Sequence, residues 1–100
     1  MPKQRSDTVT AILKERGKRY GSFADHSAIA VDLKHRMRLA PGWARLDPDM
    51  EESLDMQVHK IARILNGDPT YQDSWDDICG YSKLVADRLR KDADGKKTKS

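Results

Sequence analysis

The 100-residue chain is poor in several things that usually define a protein's class. It has one cysteine, one phenylalanine and two tryptophans. The lone Cys79 excludes an internal disulfide and fits a reducing cytoplasm. No apolar run approaches the roughly 20 residues that a membrane span needs. Met1-Pro2-Lys3-Gln4-Arg5 has no apolar stretch behind it, so no signal peptide is evident. The expectation is therefore a cytoplasmic protein without membrane contact. Period-2 alternation long enough to build a sheet is missing, as is any internal repeat. There is no P-loop, no dinucleotide-binding fingerprint and no serine nucleophile motif. Hydrophobic residues make up 37% of the chain. That allows one small domain with a thin core, which association with further copies would help to cover.

The formal net charge is +3, but it is carried by the ends. Residues 91–100 contribute +2, Lys3 and Arg5 another +2, and the body between them is slightly acidic. A basic pI would ordinarily favour nucleic acid. Its origin in the termini argues against that partner.

What is present is helical periodicity. A lead-in of residues 1–6 precedes a first helix over 7–16, with Val9, Ile12 and Leu13 on one face and Gly17 as its stop. Residues 17–23 read as a glycine-punctuated basic and aromatic loop. A second helix over 24–39 aligns His26, Ala30, Leu33 and Met37, and Pro41-Gly42 ends it. Trp43 and Leu46 tuck onto the core. Asp47 as N-cap, Pro48 at the first position and Gly67 with Pro69 at the end bound a third helix over 48–66. Its apolar stripe is Met50, Leu54, Val58, Ile61 and Leu65. A fourth helix over 71–91, with Thr70 as a possible cap, aligns Ile78, Tyr81, Val85 and Leu89. Trp75, Ala86 and Cys79 read as packing around that stripe. A charged, disordered tail over 92–100 follows. The fold class is all-α: one bundle-like domain over 7–91, completed by homo-oligomerisation into a homodimer or larger.

The third and fourth helices each open on an acidic cluster, Glu51-Glu52-Ser53-Leu54-Asp55 and Asp73-Ser74-Trp75-Asp76-Asp77. At about 100° per residue, Glu51 with Asp55 and Asp73 with Asp77 are (i, i+4) pairs beside the apolar stripes. If the two shoulders face each other, four carboxylates converge. Like charges held close raise a pKa or recruit a cation, and Mg²⁺ takes oxygen ligands. Acidic residues near a helix N-terminus are also what the macrodipole favours. Lys60, Arg63 and the loop residues Lys18, Arg19 and Tyr20 are candidates for phosphate or base contact, against the alternative of a solvated face. His26 reads as a core histidine. His59 sits on the acidic side of its helix, where Asp55 and His59 at (i, i+4) suit a transition metal.

Glu51-Glu52-x-x-Asp55 followed by Asp73-x-x-Asp76 or Asp73-x-x-x-Asp77 resembles the all-α nucleoside triphosphate pyrophosphohydrolase superfamily, the group of MazG-like and dimeric dUTPase-like enzymes. His59-Lys60-Ile61-Ala62-Arg63-Ile64, Asp77-Ile78-Cys79-Gly80-Tyr81 and Tyr20-Gly21 look closer still to small phage and prophage "nucleotide modification associated" domains. The resemblance covers about residues 9–90. It departs from the E-E-x-x-E and E-x-x-D signature where Asp replaces Glu. It implies Mg²⁺, with Mn²⁺ as an alternative, held by Glu51, Glu52, Asp55, Asp73, Asp76 and Asp77. It further implies hydrolysis of a nucleoside triphosphate to monophosphate and pyrophosphate. Within that reading Glu52, adjacent to the metal set but further from the core, is the candidate general base, and Lys18, Arg19, Tyr20, Lys60, Arg63 and Tyr81 are the candidates around the substrate. A second expectation, from another class, is a non-catalytic helical oligomer that binds a nucleotide or a protein through a degenerate metal site.

Overall fold

The computed structural model describes the backbone of residues 2–99 and the side chains of residues 8–96. Lys3 and Arg5, which supply half of the terminal charge, fall outside the described side chains. The protein is all-α. Its elements are α1 (Pro2–Tyr20), α2 (Phe23–Arg38), a 3₁₀ turn (Pro41–Arg45), α3 (Pro48–Asn66) and α4 (Gln72–Lys99), with no strand among the described residues.

The boundaries of α3 fall where the sequence places them, because its punctuation is unambiguous. Pro48 follows an extended Asp47, and Gly67 ends the helix. α2 lies within one residue of its expected bounds, whereas α1 and α4 run further than expected. Gly17 does not stop α1, which continues to Tyr20. A helical glycine costs about 1 kcal/mol against alanine, but it ends a helix only where a turn follows. The turn comes at Gly21, the one positive-φ residue among those described (φ 75°). Lys18, Arg19 and Tyr20 therefore ride on the last helical turn rather than in a loop, and Ser22 caps α2 by accepting from Asp25 N–H at 3.1 Å. At the other end α4 does not fray at Lys91 but continues to Lys99. No proline interrupts it, and Arg88 and Asp92 pair across one turn. Thr70 does not cap α4: its N–H and hydroxyl both donate to Asp68.

α3 is the hub. α2 and α4 both pack chiefly against it, and α1 touches α3 and α2. Helical geometry explains the arrangement. Ser53 and Lys60 share one side of α3 and meet α4, where Ser53 Oγ donates to the Tyr81 carbonyl at 2.8 Å. Asp55, Val58 and Ala62 share the other side and meet α2 through Ala30, Leu33 and Met37. The two sides are about 180° apart. The three helices thus form an open layer rather than a closed bundle, and among the described residues no large side chain is fully buried. Arg88 fastens α4 to the start of α3 by reaching Asp47 at 2.9 Å and Asp49 at 2.6 Å. That pairing holds the Asp49 carboxyl below its ordinary range.

Candidate functional site

Three distant segments meet where α1 ends, α3 ends and the chain enters α4. Two glycines permit the approach. A side chain on Gly21 would collide with the Asn66 carbonyl, and one on Gly67 with the Arg19 carbonyl and the Tyr20 backbone. Asn66 stitches the corner by donating from Nδ2 to the Tyr20 carbonyl at 2.8 Å and the Ser22 carbonyl at 3.0 Å. Asp68 N–H donates to the Arg19 carbonyl at 2.6 Å.

On this frame the basic and aromatic residues converge. The Arg63 guanidinium lies 4.3 Å over the Tyr20 ring, and that of Arg19 lies 4.7 Å from the Tyr71 ring centre. The two tyrosines meet edge to face at 6.1 Å. Arg19 also donates to the Tyr71 hydroxyl at 2.9 Å, and that hydroxyl donates to Asp73 at 3.0 Å. The bond to Asp73 holds the Tyr71 phenol above its ordinary pKa. Arginines in the last turn of a helix are also favoured by its dipole, which accounts for their position without a ligand. What it does not require is two guanidinium faces stacked on two rings.

Next to Arg63 lies a histidine pair. His26 Nε2 and His59 Nδ1 are 3.3 Å apart, with the rings at 79°. His26 is buried, and its Nδ1 has no hydrogen-bond partner. Burial, with Arg63 and Lys34 nearby, lowers the His26 pKa. Burial first, then Arg63 and His26, lowers that of His59 to about 4. Both rings are neutral at pH 7. His26 is the core histidine that its stripe implies. His59 turns towards it and towards Arg63 rather than joining the carboxylates.

The acidic residues are dispersed within the chain. Asp55 faces α2, where Arg38 grips it at 2.7 and 3.1 Å. Asp77 faces the other side of α3 and pairs with the largely buried Lys60 at 2.9 Å. Asp73 accepts from Tyr71, and Asp76 accepts from Gln72 at 3.0 Å. Glu51 is close enough to Arg38 to help keep that guanidinium charged. Glu52 lines a shallow groove with Met56, Tyr81 and Leu84. Among the described residues no three of His, Cys, Asp and Glu form a group able to hold a metal. The carboxylates of one chain, with Asp55 and Asp77 on opposite sides of α3 and each tied to a cation, do not fit a shared Mg²⁺ shell.

Of the residues expected around a substrate, Arg19, Tyr20 and Arg63 come together, and Lys18 is exposed on the same turn of α1. Lys60 is committed to Asp77, and Tyr81 lies along the α3–α4 seam. Sequence reasoning missed Tyr71 and Asn66. Asn66-Gly67-Asp68-Pro69 was legible only as a helix stop, although a tyrosine two residues after that proline is the available hint. Cys79 is exposed, not buried. No family model, no curated protein and no solved structure matches the chain.

Proposed function

We propose that the chain is a helical homo-oligomer that binds a nucleoside phosphate at the corner of Arg19, Tyr20, Arg63 and Tyr71. The observation that carries this reading is the convergence of two guanidinium–tyrosine stacks from segments about fifty residues apart. Arginine offers forked donors to phosphate, and an aromatic face accepts a base whatever its identity. The slightly acidic body argues against a long polyanion and for a small ligand. The likeness of Tyr20-Gly21 and Lys60-x-x-Arg63 to nucleotide-associated domains points the same way. No helix of the described residues is long and apolar enough to cross a membrane.

Mg²⁺-dependent pyrophosphohydrolysis, with a phage or prophage setting, is the second reading. It draws on Glu52, whose side chain has neither a hydrogen bond nor an ion pair among the described residues and lines an open groove. Because the carboxylates of one chain do not assemble into a metal shell, binding stands ahead of hydrolysis.

A thermal-shift screen of nucleoside mono-, di- and triphosphates, with and without Mg²⁺ or Mn²⁺ and with pyrophosphate release read in parallel, tests both. Binding at a hundred times the dissociation constant adds about 2.7 kcal/mol to stability. The expected result is stabilisation by at least one nucleotide, no requirement for metal, and loss of the effect in Arg63→Met. Pyrophosphate release that is lost in Glu52→Gln would move the conclusion to the enzyme. No response to any nucleotide would remove the corner as a ligand site.

A further inference from the structure

The apolar stripe of α3 faces out of the layer. Measured from Ser53, which meets α4, Met50, Leu54, Ile61 and Leu65 lie about 60–120° round the helix, between the α4 side and the α2 side. In the single chain Leu54 is 37% exposed, Ile61 36% and Leu65 65%. α4 extends this surface with Ala86 and Leu89, which line one groove with Met50 and Leu54. The opposite face, about 240–280° from Ser53, is a different surface, carrying Glu52, His59 and Arg63. An amphipathic helix buries the centre of its apolar stripe. Here only the flanks of the stripe are covered.

We infer that a second copy of this chain covers that ridge, so that two three-helix layers stack through Leu54, Ile61, Leu65 and Leu89 and leave the opposite face, with Arg63, open to ligand. This names the surface used by the oligomer proposed above and rests on that reading. The area argues for a second copy. The chain exposes 7786 Å², where a compact monomer of its mass exposes about 5,800 Å². The open layer thus carries roughly 2,000 Å² of surface per chain beyond that of a compact fold, and a standard interface takes ~800 Å² per partner. The ridge is uncharged and runs the length of α3, so two antiparallel copies bring the same apolar positions into register, as an isologous contact requires.

The test is the mass of the full chain by light scattering at micromolar concentration, with circular dichroism as the check on folding. Wild type is expected at twice 11.4 kDa. Leu65→Glu, at a position already mostly exposed, is expected to fall to 11.4 kDa with helicity retained. Leu84→Glu on the opposite face and Leu13→Glu on α1 are expected to keep the wild-type mass. A monomeric wild type would overturn both the oligomer and its surface. A dimeric wild type that survives Leu65→Glu and Leu54→Glu, or that dissociates only with Leu84→Glu or Leu13→Glu, would overturn the surface alone. Nucleotide-induced stabilisation is read separately, so failure of the corner is not confused with failure of the ridge.

Discussion

His26 and His59 tie side-chain chemistry to stability at a defined pH. Both have folded pKa values below 6.5, that of His59 near 4. The folded state therefore binds fewer protons than the unfolded state in this range. The neutral pair contributes fully above pH 6.5, and its contribution is lost as pH falls from there towards 4. Arg63, Lys34 and Lys60 stand around the pair and oppose its protonation. Urea midpoints measured from pH 7.5 to 4.5 should fall across this window, and His59→Gln should flatten the fall; an equal slope in the variant contradicts the assignment. Asp77 gives a second test at this scale. As the partner of Lys60, its replacement by Asn should cost about 1 kcal/mol and leave any Mg²⁺-induced thermal shift unchanged. As a metal ligand relieved of repulsion it would instead gain stability without metal and lose the metal response.

At the scale of elements, the glycines separate into two kinds. Gly17 lies inside α1 with nothing within 4 Å of an added Cβ. Gly17→Ala should stabilise by about 0.5–1 kcal/mol. Gly67 has the α1 backbone where a Cβ would stand. Gly67→Ala should cost upwards of about 2 kcal/mol and, by pushing α1 away, weaken nucleotide binding as well. Chemical denaturation of the two variants reads the opposite signs directly. The C-terminal turns of α4 carry almost no apolar residue, so removing residues 93–100 should change stability by less than roughly 0.5 kcal/mol. The same contrast explains what was legible in advance. α3 was readable because Asp47-Pro48 and Asn66-Gly67 act locally. The end of α1 was not, because glycine as a stop and glycine as a helical residue look alike in one sequence, and only the close approach of α3 tells Gly21 from Gly17. The acidic quartet failed to converge for a similar reason. Spacing put Asp55 and Asp77 beside apolar stripes but could not say that Arg38 and Lys60 would claim them from opposite sides. Lys60 and Arg63 looked equivalent one turn apart. Packing commits the first to an ion pair and lays the second on Tyr20.

For the whole molecule, the all-α class was readable from periodicity alone. The open layer was not, since an amphipathic stripe states that a face is buried without stating by what. The radius of gyration, 18.1 Å, compares with about 13 Å for a compact chain of 100 residues, as an open layer 64 Å long with a 28-residue α4 requires. The central claim is that this ridge is covered in solution by another copy, leaving the Arg63 face for a nucleoside phosphate. Thermal unfolding over a hundredfold range of protein concentration tests it most directly. Association that stabilises the folded chain makes the midpoint rise with concentration, and Leu65→Glu should abolish the rise. A wild-type midpoint independent of concentration, with a mass of 11.4 kDa throughout, would contradict the account.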